Sequence, residues 1–302
     1  NRLYATHQRS RWVTHPHWGQ TPKFAGTMLV MAHRRIILLA DRTQPAIDTI
    51  AIALEKGLAD VVSFLDCESD KVEMAIAIGG DGTLIKHGRA LAKRKIPLVG
   101  VNSGRLGFLA RFDVESLIEY RQAVFTNPAK ILSSMLLDIT VDDQQPTIAM
   151  NEAMIAAGPP FRLLELGLTI DDVPAPTLRG DGVIVATPTG STAHNASAGG
   201  PIVDPSTNAF ILTPIAAHSL AVRPIVMDGK ANITIEVLQA NEGTSLVIDG
   251  QVHCKMKEGM KMRVQQSEHT LSIVQNPARS YWKTLVDKLH WAAHPELQEK
   301  NQ

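Results

Sequence analysis

The sequence predicts an α/β N-terminal domain, with a Rossmann-like parallel sheet, followed by a β-rich C-terminal domain. Up to about Pro128, short apolar runs alternate with segments of helical periodicity, which is typical of parallel strands covered by helices. After Pro128, β-branched residues often alternate with polar ones, which is typical of half-buried strands. We therefore place the α/β domain at residues 28–128 and the β-rich domain at residues 129–275.

The elements of the first half follow from its apolar pattern. Four short apolar runs predict strands: RIILLAD, ADVVSFLD, MAIAIGG and PLVGVN. Between the first two runs, the apolar residues recur at helical spacing, at Ile47, Ile50, Ala51, Leu54 and Leu58. The segment TLIKHGRALAKR, between the last two runs, predicts a second helix.

The second half shows the patterns of strands and one helix. The strand-like runs are LLDITVDD, LELGLTID, GVIVATP, NITIEVLQ, TSLVIDG and HTLSIVQ, and glycine, proline and Asx residues fall between them as turns require. Near the end, SYWKTLVDKLHWAA predicts a helix with Ser280 as its N-cap and with Trp282, Leu285, Val286 and Leu289 on one face.

Composition narrows the classes of function. Thirty basic residues balance thirty acidic ones, so net charge indicates neither a nucleic acid nor a membrane as partner. Cys67 and Cys254 show no metal or disulfide spacing, and no apolar run approaches the ~20 residues of a transmembrane helix. We therefore expect a soluble protein in a reducing, cytoplasmic compartment.

The start of the chain has a different composition from the rest. Its first 40 residues contain six Lys or Arg residues and no Asp or Glu, which is also the composition of organelle transit segments. We favour a poorly ordered tail over residues 1–27, with the folded part beginning near Met28.

The stretch AIAIGGDGTLIKHGRAL places Asp81 among glycines where a strand meets a helix. In open α/β sheets ligands bind at this edge, and successive N–H groups beside a helix N-terminus form a site for phosphate. A carboxylate there would repel phosphate unless it accepts a proton from a hydroxyl or helps to hold Mg²⁺. The structural alternative is that Asp81 only caps the helix or forms an Asx turn.

Two further glycine-rich stretches predict neighbouring loops. GVNSGRLGFLARF follows the next strand and should line the same cleft as GGDGT. In LRGDGVIVATPTGSTAHNASAGGP, glycines and small hydroxyl residues allow a flat ring and a sugar to approach the backbone closely, although a tightly packed β corner would also use them. The motifs of Walker-type NTPases and of Rossmann dehydrogenases are missing.

Together, GGDGT, the pair Asn151-Glu152, RGDGVIVATPTGSTA and SAGGP resemble the NAD kinase family over about residues 34–292. The resemblance implies transfer of the γ-phosphoryl of ATP to the 2′-hydroxyl of the adenosine ribose of NAD, with Mg²⁺ or another divalent metal accompanying ATP. It also implies a homodimer or homotetramer, and a final segment, residues 276–302, whose helix returns to the first domain. GGDGT is shared with lipid kinases, whereas the third stretch is specific.

The resemblance assigns roles to individual residues. Asp81 is the expected base or orienter of the 2′-hydroxyl, and the loop around it would hold phosphate. That phosphate loop comprises Gly79, Gly80, Gly82 and Thr83. The residues expected to contact NAD are Phe108, Asn151, Glu152, Arg179, Asp181, Thr192, Ala193, His194 and Ser197. Among them, Arg179 would contact the pyrophosphate and Asp181 the carboxamide end.

One position departs from the family pattern. The family usually has tyrosine after GSTA, whereas this chain has His194. An imidazole has less area to stack on a base and titrates near neutrality, so we expect weaker or pH-sensitive NAD binding. His87, on the helix after GGDGT, is expected to be an ordinary surface or partly buried residue. Asp249 and Gln251 fit either a family-like segment or an Asp-Gly hairpin turn.

Two other functions remain as alternatives. A lipid kinase of the diacylglycerol type shares GGDGT but lacks the third motif, and its acyl substrate would need an apolar channel. A non-catalytic NAD(H) sensor would keep the fold and lose turnover, although such a binder has little need for the presumed base Asp81.

Overall fold

The computed structural model describes residues 33–104, 107–126, 129–160 and 162–292. In the first part of the chain, four strands and four helices follow one another. They are β1 (Arg34–Leu39), α1 (Pro45–Gly57), β2 (Val62–Phe64), β3 (Met74–Ile78), α2 (Asp81–Lys93), β4 (Leu98–Val101), α3 (Val114–Glu119) and α4 (Arg121–Phe125). The four predicted strands and both predicted helices are present.

The four strands are parallel and lie in the order β2-β1-β3-β4. Helix α1 packs through Ala51 and Leu54 on one face of this sheet. Helix α2 packs through Leu84 and Leu91 on the opposite face. The predicted helix-covered parallel sheet is therefore confirmed.

The second part of the chain is rich in strands, as the alternating pattern predicted. Its elements are β5 (Ile131–Val141), β6 (Thr147–Ala149), β7 (Glu152–Ala156), β8 (Leu164–Ile170), β9 (Val173–Gly180), β10 (Gly182–Ala186), α5 (His194–Ser197), β11 (Ala209–Ile215), β12 (Ile225–Asp228), β13 (Ile233–Gln239), β14 (Ser245–Ile248), β15 (Gln251–Lys255), β16 (Lys261–Val274) and α6 (Tyr281–Leu289).

Strand β16 joins the two parts into one sheet. Most of its length pairs antiparallel with β5 and β13, and near its end Ile273 pairs in parallel with Leu98 of β4. The resulting ten-stranded sheet runs β2-β1-β3-β4-β16-β13-β8-β9, with β5 pairing β16 and β6 beside it. A second, six-stranded sheet runs β12-β11-β10-β7-β14-β15.

The main core of the β-rich part lies between these two sheets. Leu137, Ile235 and Val264 of the larger sheet pack with Val183 and Leu246 of the smaller one, which is the packing expected of two stacked sheets. On β10, Ala186 pairs with Glu152 of β7, so the start of β7 and the end of β10 lie side by side. The third glycine-rich motif leaves the sheet at that point.

The final helix begins as predicted, because the Ser280 side chain accepts a hydrogen bond from the Lys283 N–H at 3.1 Å. Its apolar face is only partly covered. Leu285 is 2% exposed, whereas Trp282 is 58% and Val286 45% exposed. The helix therefore contacts the described part of the protein mainly through one apolar position.

The described residues belong to one compact unit, and none of their helices is long and apolar enough to cross a membrane. The division into domains at residue 128 stays a prediction. The tail predicted over residues 1–27 lies outside the described residues.

Candidate active site

The GGDGT motif connects β3 to α2 at the carboxyl edge of the parallel sheet. Gly80 is the N-cap of α2 and Asp81 is its first residue. At Gly79 φ is +156°, and an added Cβ would lie 2.7 Å from the Thr83 Cβ, so this position requires glycine. An added Cβ at Gly80 or Gly82 would meet nothing within 4 Å, so packing inside the described protein leaves the loop open to a ligand.

The carboxylate of Asp81 does not cap α2 but binds the second glycine-rich loop. It accepts hydrogen bonds from the N–H groups of Phe108 at 2.9 Å, Leu109 at 3.1 Å and Ala110 at 3.1 Å. Gly107 allows this approach, since an added Cβ there would lie 2.0 Å from the Asp81 Oδ1. The structure thus places the two loops side by side, as the sequence predicted.

These contacts fix the orientation of Asp81 without using all of its acceptor capacity. A carboxylate has about four acceptor positions, and the three N–H groups take three of them. The side chain, which is only partly buried, therefore retains the ability to accept a hydrogen bond from a substrate hydroxyl.

Asn151 and Glu152 are held in place by Asp249. Its carboxylate accepts from the N–H groups of Met150 at 2.9 Å, Asn151 at 2.7 Å and Glu152 at 3.1 Å. It also forms an ion pair with Arg89 of α2, and its own side chain is fully buried. Asp249 with φ +46° and Gly250 with φ +77° form the predicted Asp-Gly hairpin turn as well. One residue thus connects helix α2, the hairpin and the Asn151-Glu152 pair.

Glu152 is a buried acid, with 5% of its surface exposed. Its Oε2 atom has no hydrogen-bond partner among the described residues. Burial, and then the negative charge of Asp249, raise the pKa of Glu152 to about 7. Such a group changes its charge close to neutral pH and can donate or accept a hydrogen bond to a hydroxyl.

The third glycine-rich motif packs directly on Asn151. The Thr187 hydroxyl donates to the Met150 carbonyl at 2.7 Å and accepts from the Gly190 N–H at 3.0 Å. At Gly190 an added Cβ would lie 2.1 Å from the Asn151 carbonyl oxygen, so the close contact requires glycine. This explains one of the glycines that the sequence left without a definite role.

A small cavity brings the second and third motifs together. Phe108 lines it with Thr189, Thr192 and Tyr281. The rings of Phe108 and Tyr281 lie 6.4 Å apart between centroids. Of the predicted NAD-binding residues, Phe108 and Thr192 line this cavity, and Ala193 follows Thr192 directly. Asn151 packs against Gly190 of the same motif as Thr192.

Other predicted residues lie farther away. Asp181 precedes β10 whereas Thr187 follows it, so the two are about 20 Å apart along the strand. Arg179 is exposed on β9 and pairs with Glu165 at 3.0 Å. His194 and Ser197 are exposed at the two ends of α5. Among the described residues, none of these four is hydrogen-bonded to Asp81, whose side chain accepts from Phe108, Leu109 and Ala110.

The structure adds residues that sequence reasoning did not select. Arg89 joins the site only through Asp249, 160 residues later, and local pattern carries no signal of such a pair. The same cavity that Phe108 lines is also bordered by Arg111, Ser134 and Tyr281. The Arg111 Nε, the Ser134 Oγ and the Tyr281 hydroxyl have no hydrogen-bond partner among the described residues. Burial lowers the pKa of Arg111 and raises that of Tyr281.

Comparison with known families gives two matches that together cover most of the chain. Residues 9–128 match the ATP-NAD kinase N-terminal domain, and residues 150–276 match the ATP-NAD kinase C-terminal domain. The chain is 35% identical to the NAD kinase of Rhodopirellula baltica over 262 residues, which is 85% of this chain and 83% of that protein. It is 38% identical to the NAD kinase of Trichlorobacter lovleyi over 227 residues, which is 74% of this chain and 80% of that protein.

Solved structures show the same fold. An NAD kinase from Archaeoglobus fulgidus in complex with ATP is 27% identical, with a TM-score of 0.66 over 85% of this chain and 98% of that one. Yeast NADH kinase complexed with NADH is 22% identical, with a TM-score of 0.77 over 88% of this chain and 90% of that one. Because its identity to this chain is only 22%, the likeness to yeast NADH kinase bears on the fold alone.

Proposed function

The chain belongs to the ATP-NAD kinase family and is an enzyme that phosphorylates NAD, and we propose that Asp81 addresses the hydroxyl group that receives the phosphoryl group. The donor is ATP, and the acceptor is the 2′-hydroxyl of the adenosine ribose. The observation that carries the proposal is the orientation of Asp81 by three N–H groups at the point where the glycine-rich loops meet.

The reaction needs one proton transfer and one phosphoryl transfer. Asp81 accepts the proton of the 2′-hydroxyl as the bond from its oxygen to the γ-phosphorus forms, and the bond from that phosphorus to the bridging oxygen of ADP breaks. The N–H groups of Gly80 and Gly82 lie in the open loop at the N-terminus of α2, where they stabilise phosphate charge. Thr83 offers its hydroxyl to the phosphate, because its N–H donates to the Gly80 carbonyl at 3.0 Å. Catalysis of this type depends mostly on positioning and on charge stabilisation.

For the dinucleotide, we place the adenosine ribose beside Asn151 and Glu152. The Asn151 amide can donate and accept hydrogen bonds, and Glu152 is a buried acid whose Oε2 has no partner among the described residues. Both side chains therefore suit sugar hydroxyls. Thr192, Ala193, His194 and Ser197 surround the rest of the ligand, and Phe108 forms a wall. We also propose that Arg179 contacts the pyrophosphate and that Asp181 contacts the carboxamide end. Both lie near the start of β10, whereas Thr187 and the third motif follow its end.

Mg²⁺, or another divalent metal, is proposed to accompany ATP. Among the described residues no cluster of three or more metal-binding side chains occurs. A cation that accompanies ATP is bound mainly by the substrate phosphates and by water. When bound, the cation neutralises charge on the phosphates.

Assembly and cellular location are proposed from an exposed edge strand and from the cysteines. Edge strand β12 exposes Ile225 and Val226, each 49% accessible, and such an edge suits pairing in a homodimer or homotetramer. Sedimentation of the purified protein tests this. Two free cysteines, of which Cys67 is exposed, are consistent with a reducing, cytoplasmic location.

The test of the function is a product assay with NAD and MgATP, read with an NADP-specific dehydrogenase so that only the 2′-phosphate is detected. We expect NADP from the wild-type protein and formation of NADP that is at least about 10²-fold slower with the Asp81→Asn variant. Binding of NAD without product would favour the NAD(H) sensor, and phosphorylation of diacylglycerol instead of NAD would favour the lipid kinase.

A further inference from the structure

Three buried polar atoms border the small cavity beside the second and third glycine-rich motifs. They are the Arg111 Nε, the Ser134 Oγ and the Tyr281 hydroxyl, and among the described residues none of them has a hydrogen-bond partner. A buried polar group without a hydrogen bond is costly, so such a group in a folded protein indicates contact with a bound water or ion. Three such groups on one cavity therefore point to a single bound species.

The three residues come from distant parts of the chain. Arg111 directly follows Ala110, whose N–H group binds the Asp81 carboxylate at 3.1 Å. Ser134 lies on β5 and is fully buried. Tyr281 is the first residue of α6. A species that contacts all three would join the second glycine-rich loop, the larger sheet and the final helix.

The size of the cavity limits what it can hold. Its volume is about 10 Å³, which is room for about one particle the size of a water molecule. An adenine ring, a sugar or a phosphate group is larger than this. Much of the remaining wall is apolar and includes Leu109, Leu132 and Ile273. The candidates are therefore one water molecule or one small monovalent ion.

The chemistry of the three atoms favours an acceptor of hydrogen bonds. The Arg111 Nε carries an N–H group that can only donate, and the hydroxyl groups of Ser134 and Tyr281 can donate as well. An anion accepts from all three at once, and its hydrogen bond with a charged donor is stronger than a neutral one. A metal cation would instead meet an N–H group and the positive guanidinium, so the cavity does not suit a cation.

The charge of Arg111 decides between a water molecule and an anion. Burial lowers the pKa of Arg111, because water solvates this guanidinium poorly. Among the described residues, its side chain donates a hydrogen bond only to the Oε1 of Gln275, which is a neutral amide. A water molecule would satisfy the Nε and leave the charge without a contacting partner. An anion would satisfy both.

Two carboxylates lie near the cavity and are held by other groups. The charge of Asp81 acts on Arg111, and the charge of Asp204 acts on Tyr281. The Asp81 carboxylate accepts from three backbone N–H groups, and that of Asp204 accepts from the N–H and the hydroxyl of Ser206 at 2.8 and 2.6 Å. Neither carboxylate is bonded to Arg111 among the described residues. A species in the cavity can therefore supply the counter-charge in direct contact with the guanidinium.

We propose that the cavity binds one halide ion, with chloride as the natural occupant, in contact with the Arg111 Nε and the hydroxyl groups of Ser134 and Tyr281. The ion ties the start of α6 to the loop that carries Phe108. It is not a reactant in the phosphorylation of NAD, so the proposal goes beyond that function and does not depend on it. Binding of the ion should stabilise the folded protein, because the unfolded chain has no such site.

Thermal unfolding tests the site. The Tm of the full chain is measured at a constant ionic strength of about 0.15 M in sodium chloride, sodium bromide or sodium gluconate, whose anion is too large for the cavity. We expect chloride and bromide to raise the Tm by about 3 °C relative to gluconate, with saturation as the halide replaces gluconate. Without a halide effect in the wild type, the proposal would be overturned.

A pair of serine variants locates the effect. Ser134→Ala removes one of the three hydrogen-bond donors, so it should lose most of the halide shift in Tm. The matched control is Ser133→Ala, whose serine is exposed on the opposite side of the same strand, and this variant should keep the shift. Equal shifts in the two variants would place the halide effect elsewhere and overturn the proposal.

Crystallography supplies a second arm that does not depend on a variant. Crystals of the wild-type protein soaked in sodium bromide should show an anomalous peak in contact with the Arg111 Nε and the Ser134 Oγ. An ordered water at that position, with no anomalous signal, would show that the cavity holds water and would overturn the proposal.

Discussion

Arg89 and Asp249 form an ion pair that joins helix α2 to the β-rich part of the protein, with the Arg89 Nε and Nη2 atoms 3.0 and 2.5 Å from the Asp249 Oδ2. The Asp249 side chain is fully buried and also accepts hydrogen bonds from the backbone of Met150, Asn151 and Glu152. Asp249 therefore fixes the position of the Asn151-Glu152 pair relative to α2, the helix that begins at Asp81.

Asp249→Asn should destabilise the protein, because the neutral amide leaves the Arg89 guanidinium without its buried counter-charge. Breaking such a pair typically costs about 3 kcal/mol of unfolding free energy, which urea denaturation measures. The matched control is Asp171→Asn, at another positive-φ turn, with φ +48°, where the carboxylate is exposed and accepts one backbone N–H. A cost below about 1 kcal/mol at Asp249, equal to that of the control, would contradict the anchoring role.

Glu152→Gln should change how stability depends on pH. The pKa of Glu152 is raised from 4.5 to about 7, so the folded state binds this proton more tightly than the unfolded state does. The stability of the wild type should therefore fall as pH rises from about 5 to 7, by up to about 3 kcal/mol, and then stay level. The glutamine variant lacks this loss. Unfolding free energies measured at several pH values test this, and an identical slope in both proteins would contradict it.

Gly107→Ala should impair turnover, because the added Cβ would lie 2.0 Å from the Asp81 Oδ1 and force the carboxylate or the loop to move. Misplacement of a catalytic group by about 1 Å can lower the rate by about 10²-fold, so we expect a loss of that size in kcat. Gly104→Ala is the control, since an added Cβ there meets nothing within 4 Å. Similar kcat values for the two variants would show that the contact with Asp81 does not matter.

His194→Tyr should tighten NAD binding if the position stacks on a base. His194 is exposed, so a larger ring can be accommodated, and an aromatic contact of this kind is worth about 1 kcal/mol, or roughly a fivefold change in Kd. Calorimetric titration with NAD measures the change, with His253→Tyr on β15 as the exposed control. An unchanged affinity would remove His194 from the binding site.

Much of the fold could be predicted from sequence because its signals are local. Apolar spacing alone predicted the strands around Ile36, Ile76 and Val99 and the helices between them. The alternating half was predicted as strands for the same reason. The length of β16 was not, because its continuity from Lys261 to Val274 depends on pairing with β4, β5 and β13 rather than on its own pattern.

The parts of the site that lie within single glycine-rich loops could be predicted from the sequence. Glycine spacing selected the loops around Asp81, Phe108 and Gly190. The partners of those loops were not predictable: the three N–H groups that bind Asp81 come 27 to 29 residues later, and the carboxylate of Asp249 binds a backbone about 100 residues earlier. Neither contact can be recognised in the local sequence, because a backbone N–H donor is present at every residue except proline and so does not depend on residue type.

The central claim is that Asp81 takes part in the chemical step, beyond holding the loop at Phe108. The most direct test measures two quantities for the Asp81→Asn variant and the wild type. Single-turnover kinetics with MgATP give kcat, and calorimetry gives the Kd for NAD. We predict that kcat falls by about 10²- to 10⁴-fold, the usual contribution of a general base, while the Kd stays within about threefold. A kcat within about tenfold of the wild type, or a loss of NAD binding that accounts for the whole loss of rate, would contradict the account and leave Asp81 with a structural role only.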